Sequence, residues 1–130
     1  MSFRKNFFAS LTYKSAVKYP APSNLSYFWN FGIFSTLALF IQIITGIVLV
    51  MFYTPHIDLA FLSIEHITRD INYGWLLRYT HSNGASLFFI AIYFHIARGL
   101  IFGSYLFPRA YLWCSGVLLL LLTIVTAFLG

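Results

Sequence analysis

The stretch from Trp75 to Phe102 constrains this chain more than any other. It is almost wholly apolar, yet it carries Arg78, His81, His95 and Arg98. A run of this length and character reads as a helix crossing a membrane. Ionisable groups in such a helix are costly to place in lipid, and they face a cofactor, a cavity or a partner. His81 and His95 lie fourteen residues apart. On an α-helix that is about 21 Å of rise and about 40° short of four turns. The two imidazoles therefore share one face at two depths. The stripe runs Arg78, His81, Ala85, Phe88, Ile92, His95, Arg98, with an arginine one turn outside each histidine.

The same interval recurs in glycine. Gly32 and Gly46 are separated by fourteen residues in the first apolar stretch, and Gly116 and Gly130 in the last. Glycine lets a bulky group approach a helix backbone. If successive helices run antiparallel, Gly32, His95 and Gly116 share one depth, and Gly46, His81 and Gly130 share another. Two stacked flat cofactors need such an arrangement: an axial histidine each, and side-chain-free positions where the macrocycle edges press in. Neutral imidazole is a standard haem-iron ligand, and helical bundle cores supply such sites from facing helices.

Composition removes most other classes. Of 130 residues, 60% are hydrophobic and only 8% charged, against about 25% charged in soluble domains. The net charge of +5 comes from only eight basic residues, too sparse for a nucleic-acid footprint. The single Cys114 excludes a disulfide framework and covalent C-x-x-C-H haem attachment. Any haem is held non-covalently.

The expected fold is an all-α membrane protein, a haem-binding helical bundle with three spans and short surface helices. Residues 1–27 hold Arg4, Lys5, Lys14 and Lys18, and Phe7, Phe8 and Leu11 suit a short helix lying on the membrane until Pro20 and Pro22 break it. Residues 28–53 form the first span, uncharged, with Trp29 and Tyr53 at the interfaces. Residues 54–73 are too polar to cross. There Asp58 is a candidate cap, Ala60, Ile64, Ile67 and Ile71 make one apolar stripe, and Glu65 and Arg69 form an i, i+4 pair. His56 and His66 read as solvated surface residues. Residues 74–102 are the second span, 103–110 a turn stopped by Pro108, and 111–130 a third span with no polar flank after it, which reads as a truncated bundle.

Arg4, Lys5, Lys14, Lys18, Arg98 and Arg109 fall on one side, while all three acids, Asp58, Glu65 and Asp70, fall on the other. The positive-inside rule places the N-terminus and His95 toward the inner face and the 54–73 loop and His81 toward the outer face. Each ordinary alternative is weighed by its chemistry. A lone histidine in an apolar helix is commonly a hydrogen-bonded core residue, and Arg78 and Arg98 could snorkel to the interfaces. Gln42, Thr45 and Ser86 read as helix-packing groups and Cys114 as a small apolar filler. The matched spacings favour ligation, with propionate pairing by the arginines. Each haem then needs a second axial ligand from outside this chain. The rivals are a cofactor-free helical membrane subunit and a b-type haem anchor of another membrane dehydrogenase.

At these residues the chain resembles mitochondrial cytochrome b, in that family's N-terminal third. The matching runs are Pro20 to Asn24, Trp29-Asn30-Phe31-Gly32, Gln42-Ile43-Ile44-Thr45-Gly46, Glu65-His66-Ile67 with Arg69-Asp70, His81 through Ser86, Arg98-Gly99, Gly103-Ser104-Tyr105, and Thr126 to Gly130. The resemblance implies that His81 ligates a lower-potential haem near the outer face and His95 a higher-potential haem near the inner face. It implies that Arg78 and Arg98 meet propionates, and that Gly32, Gly46, Gly116, Gly130, Gln42, Ser104 and Trp113 line the haems. Trp29 and Asn30 would lie near an inner quinone-reduction site and Phe128 near an outer quinol-oxidation site.

The implied activity is electron transfer from ubiquinol through two b-type haems to quinone, coupled to proton translocation, as a subunit of ubiquinol–cytochrome c oxidoreductase. The implied partners are the rest of cytochrome b, cytochrome c1, the Rieske iron–sulfur subunit and the other complex III subunits in a dimeric assembly. The implied location is the mitochondrial inner membrane, with the N-terminus on the matrix side, a bacterial plasma membrane being the alternative. Ile33, Ser82 and Cys114 depart from the family pattern, and the Pro-Glu-Trp-Tyr quinol motif and a second histidine-bearing helix are not among these residues.

Overall fold

A computed structural model describes Ser10, residues 12–14, 17, 18 and 23–130. The expected surface helix rests on Phe7, Phe8 and Leu11, and its break on Pro20 and Pro22; all five lie outside the described residues. A 3-10 turn, Tyr27–Asn30, runs without a break into α1, Phe31–Val50. The helices α2, Ala60–Arg69, α3, Gly74–Ile101, and α4, Ala110–Leu129, follow in order. No strand occurs among the described residues.

Three of these segments are long and apolar enough to cross a membrane: Tyr27–Val50, Gly74–Ile101 and Ala110–Leu129. At about 1.5 Å per residue they measure roughly 36, 42 and 30 Å, against a hydrocarbon core of about 30 Å. Four hydroxyls of the first and third segments do not stand in the way of lipid. Ser35 donates to the Phe31 carbonyl at 2.8 Å, Thr36 to Gly32 at 3.0 Å, Thr123 to Leu119 at 2.7 Å and Thr126 to Leu122 at 2.8 Å. Each hydroxyl is satisfied on its own helix, one turn back.

The core is a packed pair, α1 against α3. Ala38 and Thr45 are buried on α1, Phe88 and Ala91 on α3. Phe31 stacks on Phe94, with ring centroids 4.8 Å apart. Gly32 meets His95 and Gly46 meets His81, so the two helices run antiparallel. The stripe from Arg78 to Arg98 is buried or half-buried throughout, while Tyr79, Ser82, Leu87, Ile90 and Tyr93 of the same helix are exposed.

The polar loop is pinned at one point. Ile67, 3% exposed, is buried on the inner face of α2. Its carbonyl lies against Gly74, where a Cβ would collide with backbone. Tyr73 takes a left-handed conformation, φ 61°, to turn the chain into α3. Asp58 does not cap α2. The N-cap is Leu59, with no side-chain cap bond. The Asp58 amide instead donates to His56 Nδ1 at 3.2 Å. The cause is the turn His56 opens, in which its carbonyl accepts from both Leu59 and Ala60. The Glu65–Arg69 pair is present at 3.1 Å, and His66 adds an i, i+4 contact with Asp70 at 2.8 Å.

α4 stands apart. None of its residues is buried. It meets α3 through Trp113, whose ring lies on Gly99, and Trp113 is edge-on to Tyr105 at 6.0 Å. Cys114, read from sequence as an apolar filler, is exposed on this helix, because nothing described packs on that side.

Candidate cofactor-binding site

The site is built on α3, which presents His81 and His95 along the face turned to α1. Both rings are half-buried. A Cβ on Gly32 would stand 3.2 Å from His95 Cε1 and 3.3 Å from Nδ1. A Cβ on Gly46 would stand 3.1 Å from His81 Cε1. Each imidazole therefore lies over a backbone position that admits no side chain without displacing it.

The surroundings of the two rings differ. Thr45 Oγ1 lies 2.8 Å from His81 Nδ1 and 2.7 Å from the Ile41 carbonyl. A hydroxyl has one hydrogen. The carbonyl can only accept, so that hydrogen goes to Ile41, and the ring donates Nδ1–H to the threonine oxygen. This assigns the tautomer: Nε2 is the unprotonated nitrogen of His81, and it has no hydrogen-bond partner among the described residues. At His95 the neighbour of Nδ1 is Arg98 Nη2, at 3.4 Å. Guanidinium has no acceptor, so Nδ1 accepts there.

Arg98 is held by more than this contact. Its guanidinium lies 5.9 Å from the Trp29 ring centroid, and Trp29 packs on Phe102 at 4.6 Å. Its Nε is buried without a partner. Arg78 is half-buried and makes no ion pair among the described residues. Gln42 Nε2 is also buried without a partner, directed at Gly84. Ser104 donates its amide to the Gly99 carbonyl at 2.8 Å. Asn30 is exposed, as is Phe128 at 89%.

The structure brings two of the four marked glycines to the histidines. Nothing lies within 4 Å of a Gly116 Cβ, and a Gly130 Cβ would meet only the Thr126 carbonyl of its own helix, at 3.3 Å. Thr45 is the residue the sequence reading undervalued. It sits next to Gly46, on the stripe with Ala38 and Gln42, and that adjacency was the available signal.

These residues fit a haem. An axial imidazole binds iron through one nitrogen while the other donates to an acceptor that fixes its tautomer. His81 has that form, with Nδ1–H on Thr45. At His95, ligation through Nε2 requires Arg98 to leave Nδ1, and the buried Arg98 Nε has no hydrogen-bond partner among the described residues. No cluster of three or more His, Cys, Asp or Glu that could hold a bare ion occurs among the described residues. A macrocycle supplying its own equatorial nitrogens needs none.

The comparisons agree with this architecture. The family model described as "Cytochrome b/b6/petB" matches residues 16–130. The chain therefore belongs to the cytochrome b family. It is 58% identical over its full length to a cytochrome b of Chondrus crispus, covering 34% of that protein. It is 62% identical over 114 residues to one of Marchantia polymorpha, covering 28% of it. A solved chain titled "Hyperthermophilic respiratory Complex III" superposes with a TM-score of 0.87 at 34% identity, over 95% of this chain and 32% of that one. The chain spans about a third of the length of the curated relatives it matches.

Proposed function

We propose that this chain supplies one axial ligand to each of two b-type haems in a quinol–cytochrome c oxidoreductase of the mitochondrial inner membrane. The observation that carries this is the repeated pairing of an α3 histidine with an α1 glycine, His81 on Gly46 and His95 on Gly32. Packing alone gives no reason for two imidazoles to rest on side-chain-free positions at one fixed interval.

His81 and His95 would hold the two irons, with the second imidazole of each coming from the remainder of cytochrome b. When bound, the haems supply one-electron redox centres at two depths of the bilayer. The chain's own residues hold the imidazoles in register and keep water out. Phe88 and Ala91, buried between the two levels, make the interval dry. Arg78 and Arg98 would meet propionates through charge-assisted bonds. Gly116, Gly130, Gln42, Ser104 and Trp113 would line the macrocycles. Trp29 and Asn30 would border the inner quinone site and Phe128 the outer quinol site.

Ubiquinol is the proposed reductant and ubiquinone the inner acceptor, with proton translocation coupled to that circuit. Cytochrome c1, the Rieske protein and a second copy of the complex are the proposed partners. The charge pattern supports an N-terminus on the matrix side. The family assignment and the complex III neighbour support this over a cofactor-free bundle. The test is a reduced-minus-oxidised spectrum of the complex purified through this chain. Two b-type components are expected; a complex with intact subunits and no haem bands contradicts the proposal.

A further inference from the structure

We infer that Thr45 is a positioning residue for the haem at the His81 level, accepting the Nδ1–H bond and thereby lowering that haem's potential relative to its partner's. This rests on the ligation proposed above and adds a role to a residue outside the ligand set. Thr45 is only 6% exposed and is a buried polar side chain of the α1–α3 core. Its oxygen has two short contacts, the Ile41 carbonyl at 2.7 Å and His81 Nδ1 at 2.8 Å. Its hydrogen is committed to Ile41, so toward the ring it can only accept.

The consequence is electronic as well as geometric. An imidazole whose remote N–H is hydrogen-bonded is a stronger donor through its other nitrogen. A stronger donor stabilises the ferric state and lowers the potential. His95 lacks this device. No hydroxyl bonds its Nδ1 among the described residues, and the Arg98 contact that reaches it must be given up for ligation through Nε2. The two levels thus share ligand type and glycine platform but differ in what stands behind the ring. The asymmetry is written into α1: Thr45 precedes the glycine at one level, and Phe31 precedes it at the other.

The test is Thr45→Val in the complete complex. Valine keeps the shape and removes the acceptor. Redox titration should raise the potential of the His81-level haem by about a tenfold change in its oxidised-to-reduced ratio, roughly 59 mV for one electron. The His95-level haem should not move, and Thr45→Ser should restore the lower value. An unchanged potential in a fully haem-loaded Thr45→Val complex overturns the inference. Should the valine chain not assemble, pulsed EPR on the unaltered ferric complex decides. Hydrogen-bonded values for both remote imidazole nitrogens at the His81-level haem support the role; a free N–H value at that haem overturns it. Failure of the ligation itself would look different, because no haem would then depend on His81 at all.

Discussion

Gly46 and His81 show how much a single missing side chain can decide. A Cβ at Gly46 would press on the imidazole at 3.1 Å, and Thr45 holds the ring there from behind. A branched side chain at Gly46 must push the ring off both contacts. Gly46→Val should lower occupancy of the His81-level haem by about tenfold or more, leaving the His95 level in place. Gly32→Val should do the reverse. Haem content by pyridine haemochromogen assay with redox titration separates the two; equal loss of both haems from either variant would count against the pairing. This much was legible in the sequence, because the glycine and histidine intervals are equal and a helix converts spacing into depth. The Thr45 bond was not legible. A threonine in an apolar helix ordinarily bonds its own backbone, as Thr36, Thr123 and Thr126 do here.

The joint between α2 and α3 is set by backbone contact at the scale of elements. The Ile67 carbonyl lies against Gly74, and Tyr73 turns the chain with a positive φ. A backbone carbonyl cannot swing aside as a side chain can. Gly74→Ala should therefore destabilise the docked loop by about 1–3 kcal/mol, as over-packing does. Limited proteolysis should show faster cleavage within residues 54–73; an unchanged cleavage rate would show that the joint has slack. The apolar stripe of α2 and the Glu65–Arg69 pair could be read from the sequence, since both follow helical periodicity. The left-handed Tyr73 could not, because a bulky aromatic rarely adopts it. Nor could the placement of α4. A helix apolar on every side has no stripe to say which face turns inward, so Gly116 was matched in depth to His95 by spacing alone. In the structure nothing described approaches it.

The described residues form an antiparallel pair, α1 and α3, with α2 docked on α3 and α4 attached at one end through Trp113 and Gly99. The pair is ordered around the α3 stripe, while its outer faces are almost entirely apolar. Lipid suits such a surface, and the chain spans about a third of its relatives' length. The account makes the two histidines independent: one ligand each, at levels set by one helix. The most direct measurement is a redox titration of the complex carrying His81→Leu or His95→Leu. Loss of the lower-potential component from the first and of the higher-potential component from the second is the predicted result. Retention of both components in either variant would contradict it.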